Sequence, residues 1–375
     1  MFTIPLESKR IITRVFLLFA IGLYCCESIF AFEDTELTKL AEGVYVRIVS
    51  PDSNAVANAG FVIMDRSVLV FDTHFTPEAG KSLLKEIRSV TLKPIRYVVN
   101  SHAHADHTHG NQAFSNAQLI GSTIARHEVL ESDLPTLERA INITEKQLEK
   151  LRKDAKKEEN LSQVPYIQKQ IQTREEYLRT VSRLQIMAPI ITLDDNLTIR
   201  DGNQKVCIAY LGVGHTKGDV IMYVPAHKIA FVGDLFFNEA IPNVQDANIL
   251  KWMETLKEVL KLDADTFVPG HGRVGSKNDV EAFLKYLEDL KAMVQPAVDS
   301  GEPVEQVIKS IPIPAKYSSY LFQNFFPANI QKMYAELKEV QISEKLSDEN
   351  AETDETESSK KSGAPGRDPL KDRRR

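Results

Sequence analysis

Residues 101–111 read SHAHADHTHGN, and they place His102, His104, Asp106, His107 and His109 within eight residues. Packing does not explain such density, because a buried imidazole needs a hydrogen-bond partner and a buried carboxylate needs neutralising. The stretch begins where IRYVVN (residues 95–100), which reads as a buried strand, ends. The cluster therefore sits at a strand's carboxyl end.

The same arrangement recurs outward from this point. AGFVIMD and SVLVFDT read as a strand pair, and Asp72 follows SVLVF. KVCIAYL precedes GVGHTKGD with its His215, KIAFVGD ends on Asp234, and DTFVPG runs into His271. DVIMYVP is a further strand, while PEAGKSLLKEIRSV and ANILKWMETLKEVLKL read as helices. Two halves, each of strands followed by helices, predict an α/β fold of two sheets packed face to face with helices outside. Polar residues at the ends of several such strands would converge on one edge and form a site.

The residue types indicate the chemistry. Imidazoles and carboxylates without thiolates suit zinc, with iron or manganese also within range. His102 and His104 are two apart, so an extended chain points them to one side. Asp106 and His107 then point away from that pair and can serve a second ion. A catalytic tetrahedral ion takes three protein ligands. Seven good ligands exceed that need, and two ions sharing a carboxylate would use them all.

HAHADH, GHTKGD, FVGD and PGHG, in this order, resemble the motifs of the metallo-β-lactamase superfamily over roughly residues 40–340. The resemblance implies a four-layer αββα sandwich with two metals at one edge of its sheets. It assigns His102, His104 and His215 to one ion and Asp106, His107 and His271 to the other, bridged by Asp234, with Asp72 supporting the ligand loop from behind. It also implies a zinc hydrolase whose metal-bound hydroxide attacks an electrophilic centre, with Asp106 orienting the water and relaying its proton. An aspartate at position 234 resembles the binuclear hydrolases of thioesters, lactones and phosphodiesters. The superfamily's β-lactamases generally carry cysteine or serine at the related place. The flavodiiron branch has a glutamate where His104 stands. The helical C-terminal segment FFPANIQKMYAELKEV does not match the glutathione site of the glyoxalase-type thioesterases.

The implied function is cleavage of an ester, thioester, lactone or similar bond in a small molecule. Alternatives are a β-lactamase and, from another class, a mononuclear iron protein acting on sulfur compounds. The net charge of −6 gives no reason to expect a nucleic-acid partner. The composition, 43% hydrophobic and 26% charged, is that of a soluble globular protein. Cys25 and Cys26 lie in the N-terminal apolar segment and Cys207 stands alone, so the folded body has no disulfide framework.

Three segments lie apart from the sandwich. Lys9, Arg10 and Arg14 precede the apolar run VFLLFAIGLYCC, and residues 1–31 read as a signal peptide cleaved after Ala31. The mature protein would be periplasmic or secreted without a membrane span, or membrane-anchored if the segment stays uncleaved. The fold would then occupy residues 32–342. Within it, residues from about 134 to 185 lack glycine and carry two apolar stripes, Leu137–Ile141–Thr144–Leu148–Leu151 and Ile167–Ile171–Leu178–Val181. Pro165 suits the first turn of the second helix. This predicts a helical-hairpin insertion, serving as a spacer, as a contact between subunits of a homo-oligomer, or as a lid or wall for substrate. Residues 343–375 hold almost no apolar side chains and are expected to form a disordered, charged tail.

The remaining singular residues have plainer readings. His109 is a loop histidine or a pocket contact. His74 is two residues beyond Asp72 and could face the pocket. His127 and His227 read as surface or loop residues, and Trp252 and Cys207 as core.

Overall fold

A computed structural model describes residues 35–50, 53, 55–157 and 164–362. The expected signal segment lies outside the described residues. Seven strands form the first sheet in sequence order: β1 (Thr35–Ala41), β2 (Val44–Val49), β3 (Ala59–Ile63), β4 (Val68–Phe71), β5 (Ile95–Val99), β6 (Gln118–Ser122) and β7 (Ile191–Leu193). Pairing is antiparallel from β1 to β4 and parallel from β4 to β7. The second sheet contains β8 (Asn196–Asp201), β9 (Gln204–Tyr210), β10 (Val220–Val224), β11 (Ile229–Phe237) and β12 (Thr266–His271). Its order is β12-β11-β10-β9-β8, and only the β11–β12 pair is parallel.

Strand periodicity builds the layers. Successive side chains point to opposite faces, so Leu69 and Phe71 of β4 enter a core shared with Phe231 of β11, Val220 and Met222. Phe71 and Phe231 meet with ring centroids 5.7 Å apart. The alternate residues Val68 and Val70 face outward onto helix α1 (Pro77–Val90), which buries Leu83 and Ile87 against them. Thr76 caps that helix by accepting a hydrogen bond from the Ala79 amide, and Pro77 stands in its first turn.

Three short or inserted helices follow, α2 (Ala105–Thr108), α3 (Thr123–Glu128) and α4 (Leu134–Lys157), and then α5 (Val164–Val181). The outer face of the second sheet presents Ala230, Val232 and Phe267 to α6 (Ile249–Leu260), α7 (Lys277–Ser300), α8 (Val304–Ser310) and the long α9 (Phe326–Ser362). Trp252, Leu256, Phe283, Leu287, Ile330 and Met333 complete that core. The result is the expected αββα sandwich.

Helices α4 and α5 occupy the segment read as a hairpin. A π-helical turn at Val129–Asp133 leads from α3 into α4. Leu137, Thr144 and Leu148 are buried, and Ile141 and Leu151 are partly so. Arg152 pairs with Glu175 and Arg174 donates to Gln147, tying the two helices together.

Two expectations are corrected. The tail was expected to be disordered from Ser343, yet helical backbone continues to Ser362. Residues 343–362 contain neither glycine nor proline, and their five glutamates and three lysines are good helix formers, so the helix runs on beyond its packed part. Burial does stop earlier: Leu337 is buried, whereas Val340, Ile342 and Leu346 are exposed. Residues 363–375 lie outside the described residues. Cys207 is only partly buried, because β9 alternates and its neighbours Val206 and Ile208 take the inner face. Among the described residues, no helix is long and apolar enough to cross a membrane.

Candidate metal centre

The carboxyl ends of β4, β5, β11 and β12 meet at one edge. Asp72 follows β4 in a left-handed conformation, with φ 57°. His102 and His104 leave β5, and α2 then carries Asp106 and His107. His215 lies between β9 and β10, Asp234 is in β11, and His271 ends β12.

Two glycines make the approach feasible. Gly233 adopts φ 54° where the β11–β12 register shifts, and a Cβ there would lie 2.7 Å from the Ser101 Cβ. A Cβ on Gly270 would lie 1.8 Å from Asp234 Oδ1. Glycine at 270 thus leaves room for the carboxylate.

The donors form two adjoining groups. His102, His104, His215 and Asp234 make one, and Asp106, His107 and His271 the other, with the ligand atoms of each group within 4.8 Å of one another. His104 Nδ1 is 2.9 Å from His215 Nε2. Asp234 Oδ2 is 3.2 Å from His215 Nε2 and 4.0 Å from His102 Nε2. The same carboxylate reaches the second group, with Oδ1 3.1 Å from His107 Nε2 and Oδ2 3.5 Å from His271 Nε2. Asp106 Oδ2 is 3.3 Å from His271 Nε2 and 3.6 Å from His107 Nε2. The seven residues singled out from the sequence are the seven that the fold brings together.

The donor set fits divalent cations. His102 Nε2, His107 Nε2 and Asp234 Oδ1 are buried and have no hydrogen-bond partner in the protein. Each such atom costs about 1–3 kcal/mol unless something else satisfies it. Lone pairs from several rings converging on one carboxylate are what a borderline cation such as zinc satisfies.

Hydrogen bonds behind the rings set their orientation. Asp72 Oδ2 accepts from His107 Nδ1 at 2.8 Å and from Ser101 Oγ at 2.7 Å, and Asp72 Oδ1 accepts from the Ser101 amide at 2.7 Å. Having donated its proton to Asp72, Ser101 Oγ accepts from His102 Nδ1 at 2.9 Å. With Nδ1 engaged in both His107 and His102, it is Nε2 that faces the donor group. His104 is turned the other way: its Nε2 is 3.1 Å from Asp246 Oδ2. His215 and His271 are steadied by packing instead. His215 lies against Trp252 and Phe237; His271 is stacked on Phe237 at 5.1 Å and meets Phe322 edge-on at 5.6 Å.

The electrostatics divide the cluster: His102 and His215 are held neutral, whereas His107 and His271 are held charged and must release a proton on binding a cation. Burial, helped by neighbouring imidazoles, pushes His102 well below the ordinary histidine range. Burial likewise pushes His215 down to about 3, which keeps it neutral. Burial opposes the charged form of His107 and His271 as well, but Asp234 and Asp106 outweigh it, raising His107 strongly and His271 to about 9. Burial also acts against ionisation of Asp234, yet the surrounding histidines hold its carboxyl well below the carboxylate range.

Other sequence candidates fall outside the cluster. His74 is fully buried with φ 70°, and its Nδ1 is 2.7 Å from the Ala57 carbonyl. His109 ends α2 and stacks on Phe75. His127 is exposed beside Glu131, His227 lies in the turn after β10, and Trp252 is buried with its Nε1 donating to the Leu235 carbonyl. Ser101, Asp246 and Phe322 were missed. Ser101 alone had a local signal, its place between the strand and the first ligand.

A family model described as the metallo-beta-lactamase superfamily matches residues 54–271, more than half of the chain. A linear primary-alkylsulfatase of Pseudomonas sp. (strain ATCC 19151) is 21% identical over 277 residues, covering 68% of this chain and 50% of that protein. A metallo-beta-lactamase type 2 of Bacillus cereus is 32% identical over 94 residues, covering 24% of this chain and 37% of that protein. The chain thus spans half or less of the length of these curated relatives. A solved metallo-beta-lactamase from Pontibacter korlensis superposes with a TM-score of 0.50 at 19% identity, covering 68% of this chain and 99% of that one. This last likeness concerns the fold.

Proposed function

The chain belongs to the metallo-β-lactamase superfamily, and from that premise we propose that it is a binuclear zinc hydrolase of small molecules, cleaving an ester, thioester, lactone or similar bond. One observation carries this reading: two donor groups adjoin and share Asp234. His102, His104 and His215 would hold one ion, Asp106, His107 and His271 the other, and Asp234 would bridge them. Zinc ions bound there would supply an acidic water at neutral pH and a Lewis acid for the substrate oxygen.

The protein's own residues then divide the work. Asp72 and Ser101 hold His107 and His102 with Nε2 facing inward. Phe237 and Phe322 confine His271. Asp106 and His104, with side chains 20% and 25% exposed, are the ligands that solvent reaches, whereas the other five are at most 8% exposed. Substrate therefore enters on the side of Asp106 and His104. The Asp106 carboxylate is placed to orient a water and take its proton.

The alkylsulfatase match supports including sulfate esters among the bonds tested, and the Bacillus cereus match favours a second reading as a β-lactamase. The decisive experiment is metal analysis of the purified protein, with a panel of a thioester, a lactone, a phosphodiester, a primary alkyl sulfate and nitrocefin. About two zinc ions per chain and turnover of an ester-type substrate are expected. Turnover of nitrocefin alone would put the β-lactamase first. A single bound iron would favour the sulfur-compound alternative. Export is proposed from the sequence, and N-terminal sequencing of the protein isolated from cells should find Phe32 first.

A further inference from the structure

His271 is steadied twice over. It is stacked on the buried Phe237, with ring centroids 5.1 Å apart and planes inclined by 18°, and that contact already fixes its plane. A second ring, Phe322, stands edge-on to it at 5.6 Å and is only partly buried. Holding His271 does not require a ring kept half in solvent. Such a ring does offer apolar surface beside the centre, because His271 Nε2 is 3.3 Å from Asp106 Oδ2, and Asp106 is one of the two ligands that solvent reaches.

The backbone brings Phe322 there against a steric preference. Its φ is 58°, in the left-handed region that bulky residues avoid, and such strain persists only where the surrounding structure over-determines it. Here the surroundings do so. The Asn238 amide donates to the His271 carbonyl, the Leu321 amide to the Glu239 carbonyl, and the Ile241 amide to the Leu321 carbonyl. The Phe325 amide closes the turn by donating to the Phe322 carbonyl. The connection from α8 to α9, residues 311–325, is thereby laced to the chain that follows β11 and to the end of β12. Beside Phe322 lies Phe325, its ring 6.2 Å away and likewise partly buried.

We propose that Phe322 is a specificity-determining residue: with Phe325 it forms an apolar wall beside the Asp106–His107–His271 group and selects substrates that carry an alkyl or aryl group next to the bond cleaved. Neither ring has a hydrogen-bonding atom, so the wall discriminates by covering apolar area alone. That is worth about fourfold in affinity for each methylene covered.

This inference rests on the metal-dependent hydrolysis proposed above, and the test separates the two. Zinc-loaded wild type, Phe322→Ala and Phe322→Leu would be titrated calorimetrically with acetohydroxamate, butyrohydroxamate and octanohydroxamate, whose common head group chelates zinc and whose tails differ only in length. Wild type should bind the longer tails more tightly. Phe322→Ala should flatten that dependence, losing about 10–20-fold of the preference for octanohydroxamate over acetohydroxamate, the worth of two methylenes. Phe322→Leu keeps part of the apolar surface and should keep part of the preference. A wild type indifferent to tail length, or an unchanged preference in Phe322→Ala, overturns the proposal. So does an equal loss for all three tails, which would leave Phe322 only a support for His271. If the alanine variant does not fold, Phe322→Gly, which suits the left-handed backbone, carries the same test. A wild type that holds no zinc overturns the proposed function, and the wall with it.

Discussion

Asp72, Ser101 and Asp234 show how much a single side chain does at this centre. Asp72 steers His107 directly and His102 through Ser101. Asp234 touches both donor groups. A bridging carboxylate offsets the repulsion between two dications about 3.5–4 Å apart. Asp234→Ala should therefore lower metal content from about two ions per chain towards one, since three histidines suffice for one ion. Hydrolysis should fall by about 10²-fold or more, as when a principal electrostatic stabiliser is lost. Asp72→Ala acts only through the ligands it orients and should cost about 10–100-fold in metal affinity. Elemental analysis and steady-state kinetics check both, and full metal content with full activity in Asp234→Ala would remove the bridge.

The elements around the sandwich differ in how they couple to the centre. Helix α9 reaches it indirectly, because Glu336 accepts from the first amides of α6, three residues beyond Asp246. Glu336→Ala removes that cap and should cost about 1–2 kcal/mol. A melting temperature lower by about 2–4 °C per kcal/mol is expected, and an unchanged melt would show that Asn248 caps the helix alone. The α4–α5 hairpin has half-buried stripes on both helices and ties of its own. If it walls the pocket, replacing residues 134–185 by a short linker should shift substrate preference with metal content unchanged. Identical kinetics on every substrate would leave it a spacer or, if size-exclusion chromatography shows a smaller assembly, a contact between subunits.

At the scale of the whole molecule, the two sheets are joined by polar ties as well as by the core. Asp201, at the end of β8 in the second sheet, accepts from the Arg66 amide, Arg66 Nε and Ser67 Oγ in the β3–β4 turn of the first. These hydrogen bonds outweigh the opposing effect of burial and hold its carboxyl down at about 2. Its folded value lies below the unfolded value near 4, so its stabilisation is complete above about pH 4 and is lost as pH falls through about 2. Asp201→Asn should destabilise the protein by about 1–3 kcal/mol at pH 7. Denaturant titrations at pH 7 and pH 2 check this, since the difference between variant and wild type should shrink at the lower pH. A constant difference would assign the effect to packing.

The seven clustered donors and the αββα layers could be read from the chain because each rests on a local rule. Apolar runs mark strands, and a polar residue just beyond a run marks a strand end, wherever that strand later lies. The hairpin could be read for the same reason, from the spacing of Leu137, Thr144 and Leu148. Strands β1, β2, β6, β7 and β8 were not read from the chain; the three-residue β7 and the Gly-containing β6 carry too few apolar residues for such a rule, whereas β2 alternates and was legible. Tertiary structure alone decided which histidines near the motif stay out of the cluster. His74 and His109 match the others in type and nearness, but their backbone turns them towards the Ala57 carbonyl and the Phe75 ring. It also decided the partners behind the ligands. Asp246 and His104 are 142 residues apart, and Glu336 is 87 residues from the amide it caps. No periodicity links residues so distant, since their pairing depends on how helices and turns pack onto a sheet edge that exists only after folding.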